Sequence, residues 1–295
     1  MFDQKTIHGA YFALSAYVFW GIVPVYFKFL THVSPLEILI QRILWSVVLL
    51  LGILAYLGQL QALRVSRRNL GILFFSSLLL SVNWMIFIYA ILDDNIIETS
   101  LGYFINPLVS VFLGVIFLGE RLRPLQWLAI AITAGGITYQ LLTFGAVPWL
   151  ALGLAFSFGF YGLIRKNLNL PSVAGLALET MLLAPIALVG LFWIFQQGEL
   201  QFSQVDIRTD LLLILTGVVT SFPLLCFASA VTRLSLTAIG MFQYIAPSIA
   251  LIIAVIIYNE PFGTGRVITF TCIWVALIIL TVETFYHHGR HKAMN

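Results

Sequence analysis

Charge is scarce in this 295-residue chain: 9% of its residues are Asp, Glu, Lys or Arg, while 61% are apolar. A soluble domain carries roughly a quarter charged residues and about half apolar, so a soluble globular fold is excluded. Cysteine is almost missing as well. Cys226 and Cys272 fall inside apolar runs with no metal-ligand spacing and no redox pairing, and read as small buried hydrophobes. No His-Glu-x-x-His, Gly-x-Ser-x-Gly or Walker-type phosphate loop occurs, and the lone Gly263-Thr264-Gly265 carries no weight. We therefore expect no catalytic residue, no metal, no cofactor and no nucleic-acid partner. Long hydrophilic segments are also lacking, so no soluble domain is attached.

What the chain does have is apolar length. A run near 20 residues crosses a hydrocarbon core of roughly 30 Å as one helix. Ten such runs are expected, near 8–30, 35–57, 70–91, 98–118, 125–144, 147–166, 173–196, 210–232, 237–258 and 264–286. The fold class is accordingly an all-α integral membrane protein. Only Lys5 precedes the first run and no small-residue cleavage site follows it, the pattern of a retained helix rather than a signal peptide. Basic residues set the orientation. One set of connections holds Lys5, Arg64, Arg67, Arg68, Arg121, Arg123, Arg165, Lys166, Arg233, Arg290 and Lys292. The opposite set holds only Lys28, Arg208 and Arg266, so both termini are expected to be cytoplasmic. The tail at 287–292, His-His-Gly-Arg-His-Lys, reads as a solvated end against anionic headgroups, with metal binding the alternative, and it is assigned no site.

The chain also resembles itself at an offset near 140 residues. Residues 106–120 (NPLVSVFLGVIFLGE) lie over 246–260 (APSIALIIAVIIYNE), pairing Pro107 with Pro247 and Glu120 with Glu260. Trp20-Gly21 falls on Tyr161-Gly162, Glu37 on Glu179, and Ser81 and Phe87 on Ser221 and Phe227. The repeat unit is five helices, giving halves 1–145 and 146–295 in one integrated membrane domain. An odd helix count inverts the second copy, the arrangement of many secondary transporters.

Polar groups inside the spans must carry any chemistry, because each charged one costs roughly 2.5 to 3.5 kcal/mol at the bilayer centre and so faces protein or water. Tyr17, Trp20, Pro24 and Lys28 share one face of the first span. That face is either a ligand wall with Lys28 at the outer mouth, or an aromatic seam with Lys28 snorkelling. In the second span Glu37, Gln41 and Trp45 share a face, and Arg42 lies about 140° round the helix from Glu37, which points it at another helix. Glu37 and Glu179 approach from opposite sides, an arrangement suited to a protonation switch or to plain interhelical bonding. Asn83-Trp84 stands mid-span, Asn83 being a ligand contact or interhelical glue. Gly102, Asn106, Ser110 and Gly114 recur every fourth residue, as do Ala246, Ala250 and Ala254, forming close-packing ridges. Pro107 and Pro247 release the carbonyls of Tyr103 and Gln243, in gating or in packing kinks. Glu120-Arg121 is expected to mark the cytoplasmic edge.

Several stretches together resemble the RarD branch of the EamA family, in the drug/metabolite transporter superfamily. They are 20–30 (WGIVPVYFKFL), 37–46 (EILIQRILWS), 83–90 (NWMIFIYA), 98–121 (ETSLGYFINPLVSVFLGVIFLGER), 151–166 (ALGLAFSFGFYGLIRK) and 242–260 (FQYIAPSIALIIAVIIYNE). The resemblance spans nearly the whole chain. It implies a ten-helix, inverted-repeat exporter of the bacterial inner membrane with a central cavity, handling a small polar or amphipathic metabolite or drug. Aromatic walls would come from Trp20, Trp84, Tyr103 and Tyr244. Polar contacts would come from Glu37, Gln41, Arg42, Asn83, Asn106, Glu179 and Gln243, with Lys28 at the outer mouth and Pro107 and Pro247 at the gate. Two departures stand out: Gln41 replaces a histidine expected before Arg42, and Asn259-Glu260-Pro261 replaces a Gly-Glu-Lys-like end. The expected partners are a small solute, the lipid bilayer and a coupling proton; a passive channel, an intramembrane enzyme and a structural scaffold are the competing classes.

Overall fold

A continuous apolar run in lipid satisfies its backbone only as a helix or a closed barrel, and the described part of this chain chooses helices. The structure, a computed structural model, describes residues 4–92, 96–144, 147–168, 170–257 and 264–293. Among these there are no strands. The helices are α1 (Gln4–Phe27), α2 (Pro35–Tyr56), α3 (Arg67–Leu92), α4 (Ile96–Leu118), α5 (Pro124–Phe144), α6 (Trp149–Leu168), α7 (Ser172–Gln197), α8 (Ile207–Val231), α9 (Leu236–Gln243), α10 (Ile245–Ile256) and α11 (Thr264–Ala293). Short 3₁₀ turns at Lys28–Leu30 and Leu60–Leu63 follow α1 and α2. Glu260, the expected mate of Glu120, lies outside the described residues.

Helix starts follow local chemistry. The Ser34 hydroxyl accepts from the Glu37 amide (3.2 Å) with Pro35 at the first helical position, and Asp206 and Ser235 cap α8 and α9 in the same way. Eight helical stretches among the described residues are long and apolar enough to cross a membrane. The expected sixth and tenth spans are present as helices α6 and α11. Arg165 and Lys166 occupy the last turn of α6 and dilute its apolar run, and α11 carries an apolar stretch over Val267–Leu280.

The expected ninth span is not one helix. It divides at Tyr244 into α9 and α10, because Pro247 has no N–H to give the Gln243 carbonyl. The Tyr244 amide falls back on the Met241 carbonyl at 3.4 Å. Pro107 has no such effect, and α4 runs through it unbroken.

Packing joins the first five helices to the later ones. α1 lies on α8 and α10, α2 on α7 and α8, α3 on α6 and α7, α4 on α6 and α9, and α5 on α11. Glycine permits the closest of these approaches. A Cβ at Gly217 of α8 would lie 2.7 Å from the Trp45 carbonyl carbon of α2, and one at Gly240 of α9 would lie 2.8 Å from the Pro107 carbonyl oxygen of α4. Side chains such as Ile116, Val189, Phe192 and Ile278 are exposed, as the lipid-facing surface of a membrane protein should be.

Where α4 ends, Gly119 turns the chain at φ 64°, a left-handed conformation that glycine adopts without strain. The turn aims the Glu120 carboxylate at the start of α9. It accepts from the Leu236 amide (2.6 Å), the Thr237 amide (2.8 Å) and the Thr237 hydroxyl (2.6 Å). Glu120 thus does more than mark an edge: a carboxylate 116 residues away caps a short helix.

Two outcomes test this packing. Gly217→Ala should push α8 from α2 and lower the unfolding temperature in a thermal-shift assay, at a cost of about 1–3 kcal/mol. Gly52→Ala, which meets nothing within 4 Å, should be neutral or slightly stabilising. Glu120→Ala should strip two amides of their acceptor, cost about 1–3 kcal/mol, and speed hydrogen exchange at Leu236 and Thr237, with α7 unaffected.

Candidate functional site

A partly open cavity of about 90 Å³ lies between the two halves of the chain. An engineered apolar cavity of about 150 Å³ admits benzene, so this one holds only a few non-hydrogen atoms without rearrangement. α1 supplies Tyr17, Trp20, Val23 and Phe27, α3 supplies Asn83, Trp84 and Phe87, and α4 supplies Gly102, Tyr103 and Asn106. From the second half come Leu154 and Phe158 of α6, Val219 of α8, Gln243 at the end of α9 and Ala246 of α10.

Arg42 of α2 is the only charged residue among those lining it. The side chain is buried. Its Nε donates to the Thr220 hydroxyl of α8 at 2.9 Å, and its guanidinium carbon sits 4.3 Å from the Trp84 ring centre and 5.6 Å from that of Phe27. Aromatic faces stabilise a delocalised cation where water cannot. No carboxylate among the described residues forms an ion pair with it. A guanidinium has five N–H donors, and only the Nε donor has a hydrogen-bond partner among the described residues.

Neutral polar groups complete the lining. Asn83 Nδ2 donates to the Leu154 carbonyl (2.9 Å) and the Ser157 hydroxyl (3.0 Å), tying α3 to α6, so it is interhelical glue and cavity wall at once. Gln243 Nε2 donates to the Ser110 hydroxyl at 3.1 Å and joins α9 to α4. Asn106 Oδ1 is buried and has no hydrogen-bond partner among the described residues. A buried acceptor left unmatched costs about 1–3 kcal/mol, so a donor on a bound solute would recover that energy.

The aromatic wall contains two sets of ring contacts. The Trp20 ring lies 5.3 Å from Tyr17, 5.5 Å from Phe158 and 5.9 Å from Phe227, and Tyr103 meets Phe87 at 5.9 Å. Of the residues expected to contact solute, the cavity gathers Trp20, Arg42, Asn83, Trp84, Tyr103, Asn106 and Gln243. It does not gather the others. Glu37 is fully buried, its carboxylate accepting from the Gln201 and Phe202 amides at 2.9 and 2.8 Å in the α7–α8 connection. Gln41 Oε1 accepts from the Trp45 indole at 3.0 Å. The Tyr244 hydroxyl donates to the Phe104 carbonyl at 3.4 Å, and Lys28 opens the turn after α1. Glu179 sits in a separate cluster with Ser76, Tyr161 and Arg165. Pro247 stands at the α9–α10 break, while the Pro107 carbonyl rests on Gly240.

Sequence reasoning did not assign Phe27, Phe87, Phe158 or Thr220 to the site. The three phenylalanines occur in a chain with 24, and apolar residues on two or more faces of a span leave no periodicity to select them. Thr220 meets Arg42 across 178 residues.

Comparison with known proteins bears on the whole chain. The EamA-like transporter family matches it twice, over residues 7–141 and 146–282. Protein RarD of Escherichia coli (strain K12) is 44% identical over 290 residues, covering 97% of this chain and 98% of that protein. An uncharacterized transporter of Vibrio cholerae is 46% identical over 95% of this chain and 94% of its own length, and uncharacterized transporter YojE of Bacillus subtilis is 44% identical over 95% and 96%. One solved structure superposes with a TM-score of 0.72 at 16% identity, covering 94% of this chain and 98% of its own, and so shares the fold. The chain belongs to the EamA-like transporter family and is a multi-pass membrane protein with RarD relatives along nearly its full length.

Proposed function

We propose that this protein is a secondary transporter of the bacterial inner membrane that exports a small polar or amphipathic solute by alternating access, with both termini cytoplasmic and proton entry as the driving reaction. The proposal includes ten membrane crossings in two inverted repeats, α1–α5 and α6–α11, with α9 and α10 acting as one crossing. Three facts support the repeats: the family matches each half separately, the packing of α1 on α8 is mirrored by that of α6 on α3, and the mates α2 and α7, and α5 and α11, pack on each other. Two near-equivalent halves around a central cavity can exchange outward-open and inward-open packings at little energetic difference.

The observation that carries the solute site is Arg42: a buried cation on the Trp84 ring, lining the cavity, with no carboxylate partner among the described residues. An uncompensated cation in that setting is costly, and an anionic or strongly accepting group on the solute relieves the cost. The solute then carries a carboxylate-like or carbonyl-rich end for Arg42, a donor for Asn106, and a flat apolar part for Trp20, Trp84 and Phe158. The small lined cavity supports a carrier that occludes its solute over a passive channel.

Arg42→Ala should abolish transport in proteoliposomes by protein that still inserts, and should weaken binding by about ten- to a hundredfold, the loss of a charge-assisted hydrogen bond of about 1.5–3 kcal/mol. Hits are found by thermal shift of the purified protein against amino acids, nucleobases and amphenicols. Full transport by Arg42→Ala would refute the site. Asn106→Ala separates binding from architecture: the unfolding temperature of the empty protein should stay level or rise, because an unmatched acceptor is removed, while affinity for the same hit falls.

A further inference from the structure

A second buried ionic cluster stands apart from the cavity. Glu179 of α7 is fully buried. Its carboxylate accepts from the Ser76 hydroxyl of α3 at 2.8 Å and from the Tyr161 hydroxyl of α6 at 3.4 Å. Arg165 of α6 approaches it only to 3.9 Å. Arg165 is itself 97% removed from solvent (3% exposed), and its Nε and Nη1 have no hydrogen-bond partner among the described residues. Its guanidinium occupies the space over Gly175, where a Cβ would lie 2.0 Å from Nη1. α2 and α8, which also pack on α7, bring no titratable or charged group to the Glu179 carboxylate among the described hydrogen bonds and ion pairs. The pair is therefore loose, buried and short of acceptors on the cationic side.

Resting on the reading of the chain as a proton-coupled carrier, the geometry points to Glu179 as the carboxylate that takes up and releases the coupling proton, with Arg165 as its switching counter-ion. A proton added to a Glu179 oxygen cancels the only negative charge paired with Arg165 among the described residues. Breaking one side of a buried pair leaves an uncompensated charge, which biases the two packings of α6 against α3 and α7. Because both residues are buried here, the proton can arrive or leave only when that side opens, which ties exchange to the conformational step.

Tyr161 provides the physical link to the cavity. Its hydroxyl bonds Glu179, and its ring stacks on Phe227 at 5.9 Å and 19°. Phe227 in turn meets Trp20 at 5.9 Å and Phe158 at 4.9 Å, both of which line the cavity. Glu37 lacks these features. Two backbone amides hold its carboxylate in a connection outside the cavity, a structural clamp rather than a switch.

Dicyclohexylcarbodiimide, which reacts with protonated carboxyl groups in apolar surroundings, tests this on purified full-length protein with no solute present. Mass spectrometry should find Glu179 modified and Glu37 unmodified. The extent should fall as pH rises, approaching about tenfold per pH unit above the midpoint, the slope of a single titrating group. No modification of Glu179 at any pH, modification independent of pH, or preferential modification of Glu37 would overturn the assignment. Once a transported compound is known, Glu179→Gln should retain binding and exchange of that compound but lose its accumulation against a gradient when a pH difference is imposed; retained accumulation, or loss of binding together with accumulation, would overturn the assignment. Failure to find any transported compound bears on the carrier reading alone, because the labelling is scored without one.

Discussion

Inside the hydrocarbon region no water is available to a polar group, so each one must find its partner within the protein. That single constraint organises this molecule. It keeps the backbone helical, turns the aliphatic side chains outward to lipid, and concentrates the few ionisable groups between helices. Arg42, Glu37, Arg165 and Glu179 are all buried, and each is held differently. Glu37 receives two backbone amides, Arg42 has aromatic faces and one hydroxyl, and Glu179 and Arg165 have each other at a distance longer than a good hydrogen bond. The arrangements differ in completeness: both Glu37 oxygens are matched by backbone amides, whereas Arg42 and Arg165 keep donors without a hydrogen-bond partner among the described residues.

The same constraint explains the helix break between α9 and α10. A proline inside a membrane helix exposes a carbonyl, tolerable only where neighbouring protein compensates. The helix breaks at Tyr244, and Gln243, just before the break, lines the cavity while its amide bonds Ser110. Glu120 holds the other end of the short α9. A cavity-lining residue is thus delivered by an eight-residue helix fastened at its start by a carboxylate and ending at the Tyr244 turn. Its counterpart in the first half, α4, stays continuous through Pro107, so the same residue type at the same position in the two halves has different consequences. Beside α4 the Pro107 carbonyl approaches Gly240, where a Cβ would lie 2.8 Å from its oxygen.

Much of the site was legible beforehand because insertion cost singles out charged and amide residues within spans. Arg42, Asn83, Asn106 and Gln243 stand out against an apolar background, and all four line the cavity. The same signal also selected Glu37, Gln41 and Glu179, which lie elsewhere; a buried polar residue announces that it has a partner, not which partner. The aromatic half of the wall was only partly legible. Trp20, Trp84 and Tyr103 carry distinctive side chains, whereas Phe27, Phe87 and Phe158 are three among 24 phenylalanines.

By itself, the sequence determined that the chain is helical and membrane-embedded, that its halves resemble one another, and that Arg42 must lie among other helices. These follow from composition, run length and the cost of a bare charge in lipid, all local to the chain. Only the tertiary structure decided that Arg42 rests on Trp84 and bonds Thr220, that Glu120 caps α9, and that Glu37 and Glu179 have different partners. The bonds of Arg42 to Thr220, Glu37 to Gln201, Glu120 to Leu236 and Glu179 to Ser76 each join residues more than 100 positions apart. Helical periodicity states which residues share a face, but the neighbour that face meets is set by how all the helices pack at once.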